Sequence, residues 1–293
     1  MSKVSFVKAS NGDREAVKEA MLKSLRLINF EFNRNVEKIV IKPNMCYYFH
    51  PSTGEVTDPR FVSVLIDVLR GGFGKDVEIF VVESDASAMK CKYVFHMLGY
   101  DVMAKEKDVR LVNLSEEKYR IVNVQLNKAD FNFYVPELFY DCDLVINVPK
   151  LKYMTDVKIT CALKNMFGCN AYAKKFIYHH ALNEAIVAIN KLIKTDLVVV
   201  DGLVVSGRYT KKLNLVMSSM DPVALDAAAS KILGFNPKSV KQIVLASQVG
   251  LGSIDFTPVG DYYYAIREFP RKRWKDNVRD AIAAVYLRVF RET

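Results

Sequence analysis

Four apolar runs in this 293-residue chain each end in lysine, asparagine or carboxylate side chains. EKIVIKPN (37–44) ends on Lys42 and Asn44, VEIFVVESD (77–85) on Glu83 and Asp85, DLVINVPK (143–150) on Asn147 and Lys150, and DLVVVDG (196–202) on Asp201. Ammonium groups hold carboxylates or phosphates by charge, and amides orient them by hydrogen bonds. Carboxylates move protons or hold divalent cations, and a desolvated lysine serves as a base or Schiff-base nucleophile. The segment PKLKYMTDVKITCALKNMFG (149–168) adds Lys152, Lys158 and Lys164 around Thr160, Asn165 and Gly168. We assign Lys42, Asn44, Asn147, Lys152, Lys164 and Asn165 to substrate binding, and Glu83, Asp201, Lys150 and His179 to catalysis. Glu83, Asp85 and Asp201 are the candidates for holding a divalent metal.

His180 is the alternative to His179, the other imidazoles being His50 and His96. No H-x-x-x-H or H-E-x-x-H pair occurs, which argues against a dedicated zinc site. Asp226 lies within VALDAAASKILG, on a helical stripe with Ala229 and Leu233. If buried there it needs a partner, and a crevice lysine is one; otherwise that helix face is exposed.

These side chains meet only if the runs are parallel strands. Each run is short, rich in Val and Ile and without alternation, the pattern of strands covered on both faces. Helical patterns separate them, so their carboxyl ends gather on one edge, where open α/β sheets bind ligands. Further strands are expected at 4–9 and 212–219. Helices are expected up to Leu27, from Asp58-Pro59 to Gly71-Gly72, over 88–98, 180–193 and 238–248, and from Asp221-Pro222 to Gly234. Residues 44–58 read as a long loop, a hairpin flap over the crevice. Short strand-like pieces between 109 and 135 place an antiparallel excursion or small lobe around 105–140. The reading is one α/β domain over 1–293, a mostly parallel sheet with helices on both faces, closed by an amphipathic helix at 275–291.

Hydrophobic residues make up 51% of the chain, enough for a large core. No apolar stretch approaches the roughly 18 residues of a transmembrane helix. MSKVSFVKASNGDREAV lacks a signal-peptide apolar region, so the expected location is the cytoplasm. Five dispersed cysteines without C-x-x-C spacing read as reduced thiols and carry no iron–sulfur motif. RGGFGKD (70–76) precedes a strand instead of following one, and G-x-G-x-x-G is absent, so no standard ATP or NAD site is present. The net charge of +9 sits in two places: six lysines against one aspartate in 150–175, and eight basic against four acidic residues in 267–293. Such focused charge suits an anionic partner, although no nucleic-acid-binding motif accompanies it.

IKPN (41–44), VESD (82–85), NVPKLK (147–152), ALKNMFG (162–168), VVDG (199–202) and MDPVALDAAASKILG (220–234) together resemble the prokaryotic family called domain of unknown function 362. The resemblance implies an α/β fold and an archaeal or anaerobe-type intracellular setting, without the appended ferredoxin-like domain of some relatives. It also extends remotely to the N-terminal part of nickel-dependent lactate racemase. Relatives usually follow Pro-Lys-Leu-Lys with Thr-His, whereas Tyr153-Met154 stands here, so any role of that histidine passes to His179 or His180. The expected function is an enzyme acting on a small anionic metabolite, by isomerisation or racemisation next to a carboxylate, or by a redox step with a partner protein's cofactor. The alternative is a non-catalytic basic module docking on nucleic acid, an acidic protein or a membrane surface.

Overall fold

The Val/Ile-rich runs form the middle of one sheet, and their side chains supply two cores at once. The computed structural model describes residues 1–33, 35–272 and Asp276. In chain order the first half contains β1 (Ser2–Lys8), α1 (Arg14–Leu27), β2 (Lys38–Pro43), α2 (Pro59–Phe73), β3 (Glu78–Glu83), α3 (Cys91–Met97), α4 (Tyr100–Lys107), β4 (Arg110–Asn113), β5 (Tyr119–Leu126) and β6 (Ala129–Pro136). Then follow β7 (Leu144–Val148), β8 (Lys150–Met154), β9 (Lys158–Thr160), α5 (Ala162–Asn165) and α6 (Leu182–Leu192). The last part holds β10 (Leu197–Ser206), β11 (Thr210–Ser219), α7 (Pro222–Leu233), α8 (Lys241–Gln248), β12 (Phe256–Gly260) and α9 (Tyr262–Glu268).

The sheet runs β12-β1-β11-β10-β7-β2-β3-β4, with β8 and β9 attached beside β10. Strands β10, β7, β2, β3 and β4 are mutually parallel, and β11 is antiparallel to both its neighbours. Successive side chains on a strand face opposite ways. Ile39, Ile41, Ile79, Val81, Leu144, Ile146, Leu197 and Val199 therefore pack in one core with α1 to α4. Val40, Phe80, Val82, Val145, Val198 and Val200 pack in the other with α6 and α7. Burial on both faces is why these runs show no polar alternation.

The chain leaves β2 for β3 and β4, then returns to β7 on the other side of β2. The order reverses between β2 and β7, and a crevice opens at their carboxyl ends. Register sets Lys42 on β2 opposite Asn147 on β7.

Capping follows the expected chemistry. Asp58 accepts from Arg60 N with Pro59 at the first helical position, and Asp221 accepts from Val223 N and Ala224 N. Gly234, at φ 91°, closes α7.

Several elements differ from the sequence reading. Arg110–Asn113 is a parallel edge strand of the main sheet, since Val112 packs into the core; only β5 and β6 form a separate antiparallel pair. Residues 44–58 make no hairpin and hold a single 3-10 turn, Pro51–Thr53. The helix expected over 88–98 does stop before Gly99, and Gly99 at φ 77° then opens α4, which the sequence reading did not anticipate. β12 and α9 go unanticipated, because FTPVG is short, contains Pro258 and lacks a Val/Ile run. The helix expected at 275–291 lies outside the described residues. Among the described residues, no helix is long and apolar enough to cross a membrane.

Candidate functional site

Above the crevice, several short segments border a cavity of about 290 Å³. The strand ends supply Lys42, Asn44 and Glu83, and the hairpin of β8 and β9 supplies Lys152, Met154 and Thr160. Lys164, Asn165 and Gly168 come from α5 and the 3-10 turn Met166–Cys169. Lys175, Phe176 and His179 come from the 3-10 segment Lys175–Ala181. Asp226 of α7 holds α5 in place, accepting from Ala162 N at 2.7 Å and Leu163 N at 3.1 Å. Burial raises its pKa to about 7, and these two amides pull against that rise. The partner of Asp226 is thus a helix N-terminus rather than a crevice lysine, and the residue is buried rather than exposed.

Lys42 and Glu83 form a buried ion pair at 2.7 Å. Lys42 Nζ also donates to Pro43 O at 2.6 Å, and Glu83 Oε1 accepts from Ser84 N at 2.9 Å. Gly168 lies over this pair. A Cβ there would stand 2.9 Å from both Glu83 Oε1 and Lys42 Cε, so the site requires glycine for space. Lys175 donates from Nζ to Ser84 Oγ at 2.7 Å and to Asp85 O at 2.5 Å. Burial lowers its pKa to about 8, with the nearby Glu83 charge opposing the shift.

A relay of amides crosses the crevice. Asn147 Nδ2 donates to Ala162 O at 2.8 Å, Asn165 Nδ2 donates to Asn147 Oδ1 at 2.8 Å and to Lys42 O at 3.0 Å, and Asn44 Nδ2 donates to Asn165 Oδ1 at 3.0 Å. Asn44 Oδ1 and Thr160 Oγ1 are buried and have no hydrogen-bond partner among the described residues.

Lys152 is neutralised by Glu55, donating to its carbonyl at 2.6 Å and lying 3.2 Å from its carboxylate. Lys164 is different. Among the described residues, its ammonium has neither a hydrogen-bond nor an ion-pair partner; burial lowers its pKa, and the Lys152 charge adds to that. His179 sits largely exposed at the rim, stacked on Phe176, and partial desolvation of its ring lowers its pKa.

Of the residues selected from sequence, Lys42, Asn44, Glu83, Lys152, Lys164, Asn165 and His179 share this cavity. Asn147 supports it from below through the relay. Lys150 and Asp201 do not line it. They pair with each other at 3.1 Å, fully buried, while Asp201 also accepts from Asp58 N and Leu203 N and Lys150 donates to Val204 O. Asp85 turns to Cys91 N and Lys90, fixing the start of α3. Glu83, Asp85 and Asp201 therefore face separate partners, and among the described residues no three His, Cys, Asp or Glu side chains converge as a metal-ligand group. His180 faces away, its Nδ1 against Ile177 O. All five cysteines are free, and burial pushes the Cys169 thiol up to about 12.

Lys175 carries a role that sequence reasoning did not single out. Lys175 stands outside any regular helix or strand pattern, and its only signal is the lysine excess of 150–175.

The model of the family described as domain of unknown function (DUF362) matches residues 39–231, and the chain belongs to that family. It is 25% identical over 228 residues to a thylakoid-associated protein of Synechocystis, covering 73% of this chain and 68% of the relative. A solved structure of lactate racemase apoprotein from Thermoanaerobacterium thermosaccharolyticum is similar, with a TM-score of 0.48 and 11% identity over 80% of this chain. The chain spans 57% of that structure's length.

Proposed function

We propose that this member of the domain of unknown function 362 family is an enzyme that binds a small anionic metabolite, a carboxylate or phosphate, in the cavity at the strand ends and moves a proton on it. One observation carries the reading: among the described residues the ammonium of Lys164 has no partner, while the other lysines of the cavity are already engaged, Lys42 by Glu83, Lys152 by Glu55 and Lys175 by Ser84 Oγ and Asp85 O. Lys164 is half-buried, and an ammonium that has lost part of its hydration without gaining a partner is stabilised when an anion arrives to meet it.

The chemistry follows from the other lysine. A group whose pKa lies near 8 is divided between its acid and base forms close to neutral pH, which suits proton transfer. In this reading Lys164 holds the carboxylate of the bound molecule, and neutral Lys175 takes a proton from the adjacent carbon. The ammonium of Lys164 then steadies the charge that builds on the carboxylate. The pair Lys42–Glu83 fixes the floor beside Lys175, and return of the proton completes an isomerisation or racemisation.

Solvent exchange tests this directly. Wild-type protein incubated in deuterium oxide at pH 8 with malate, aspartate and succinate should wash deuterium into the carbon beside a carboxylate of at least one of them, read by proton NMR. Lys175→Met should abolish the exchange while the ligand still binds. Binding without any exchange in the wild type would reject the proton-transfer role.

A further inference from the structure

The amide relay ends on an atom that nothing among the described residues satisfies. A backbone carbonyl only accepts, so the Asn147 group facing Ala162 O is its NH2. Asn147 Oδ1 must then accept from Asn165 Nδ2, which the Lys42 carbonyl independently requires to be an NH2. Asn165 Oδ1 in turn accepts from Asn44 Nδ2, which leaves Asn44 Oδ1 as the free end. No member can flip without setting one carbonyl oxygen against another. The Asn44 backbone is equally fixed, its N–H meeting Val148 O and Thr57 Oγ1 and its carbonyl meeting Thr57 N.

Lysines dominate the charged side chains that line the cavity, and they only donate. Glu83 is the one acid lining it, and its oxygens are engaged by Lys42 and Ser84 N. Thr160 offers a hydroxyl that rotates to donate or accept. An occupant with an anionic group alone would answer Lys164 and leave the Asn44 carbonyl oxygen buried and unpaired. A buried acceptor left without a donor carries its full desolvation cost, and sites of this kind reject analogues that lack the matching group.

We infer that the cavity selects small anions that also carry a hydroxyl or amino group, which donates to Asn44 Oδ1 while the anionic group meets Lys164. This specificity rests on the anion-binding reading given above.

Succinate, malate and aspartate share a four-carbon dicarboxylate frame and differ only in carrying hydrogen, hydroxyl or ammonium, so titration calorimetry of the full wild-type chain with the three, both enantiomers where they exist, separates the cases. At least one enantiomer of malate or aspartate should bind about tenfold or more tighter than succinate, the preferred one showing which donor is used. Asn44→Leu should reduce that preference to about twofold or less, since the variant keeps the Lys164 contact and removes the Asn44 oxygen. Should this variant fail to fold, the wild-type ratios decide alone. Succinate binding as tightly as both donor-bearing ligands overturns the specificity and leaves the anion site standing. If none of the three binds, nor inorganic phosphate, the anion site itself fails and the inference with it.

Discussion

Replacing Lys164 by methionine separates binding from folding more sharply than any other change in the cavity. The Lys164 ammonium has no hydrogen-bond or ion-pair partner among the described residues, so Lys164→Met orphans nothing in the protein. Methionine keeps an unbranched stem of similar reach and removes a charge that the half-buried position leaves partly desolvated. Thermal stability without ligand should therefore hold or rise. With an anion present the balance reverses. At a contact of about 3 Å and an effective dielectric of about 20, the Coulomb attraction is roughly 5–6 kcal/mol. Desolvation of both groups returns most of it, and charged hydrogen bonds retain about 1.5–3 kcal/mol net. At about 1.4 kcal/mol per decade, Kd should weaken by about tenfold to a hundredfold. Titration calorimetry with malate and with phosphate at pH 7 and constant ionic strength measures the loss, and a melting curve of the free protein measures stability. Lys23→Met, on the exposed face of α1, makes the same change in net charge away from the crevice. Unchanged affinity in Lys164→Met, or an equal loss in Lys23→Met, would refute the assignment.

The remaining predictions concern the groups around that lysine. Gly168→Ala drives a methyl to 2.9 Å from both Glu83 Oε1 and Lys42 Cε, so urea unfolding should show a loss of about 1–3 kcal/mol; a change within about 0.5 kcal/mol would contradict the close approach. Lys175 titrates at about 8 in the folded chain against 10.5 in the unfolded one, so the unfolded state holds more protons between those values. Its penalty is fully present below about pH 8 and relieved as pH rises to 10.5, a gain of roughly 3 kcal/mol. Unfolding free energies of wild type minus Lys175→Met should rise across that window, and a flat difference would argue against the buried ammonium. Lys150→Met and Asp201→Asn each break a fully buried ion pair and should each cost about 3–5 kcal/mol, while the folded fraction keeps wild-type anion affinity. A selective loss of affinity in either would bring that pair back into the site.

Much of the scaffold is visible in local patterns because its causes are local. Asp58-Pro59 and Asp221-Pro222 start helices through their own side chains and ring geometry, and Gly234 closes one through its left-handed backbone. The unbroken Val and Ile runs at 39–41, 79–82, 144–146 and 197–200 announce strands buried on both faces, and parallel strands bring their carboxyl ends together. That reasoning was enough to bring Lys42, Asn44 and Glu83 together, but it also gathered Asp85, Lys150 and Asp201, which do not line the cavity; Lys164 and Asn165 came from the basic segment that follows β7. It fails for β4, whose residues carry the same signal in a hairpin or at a sheet edge until Val112 finds the core.

By itself the sequence determined the strand-end crevice and its surplus of lysines, because periodicity and capping are encoded within a few residues of where they act. Only the tertiary structure decided which charges are already answered. Lys150 and Lys152 stand two residues apart, yet one is taken by Asp201 and the other by Glu55, while Lys164 is left facing the cavity and Lys175 arrives from a segment with no regular pattern. Pairing of this kind joins residues far apart in the chain. It depends on strand register and on the desolvation each partner meets, neither of which is a property of any local stretch.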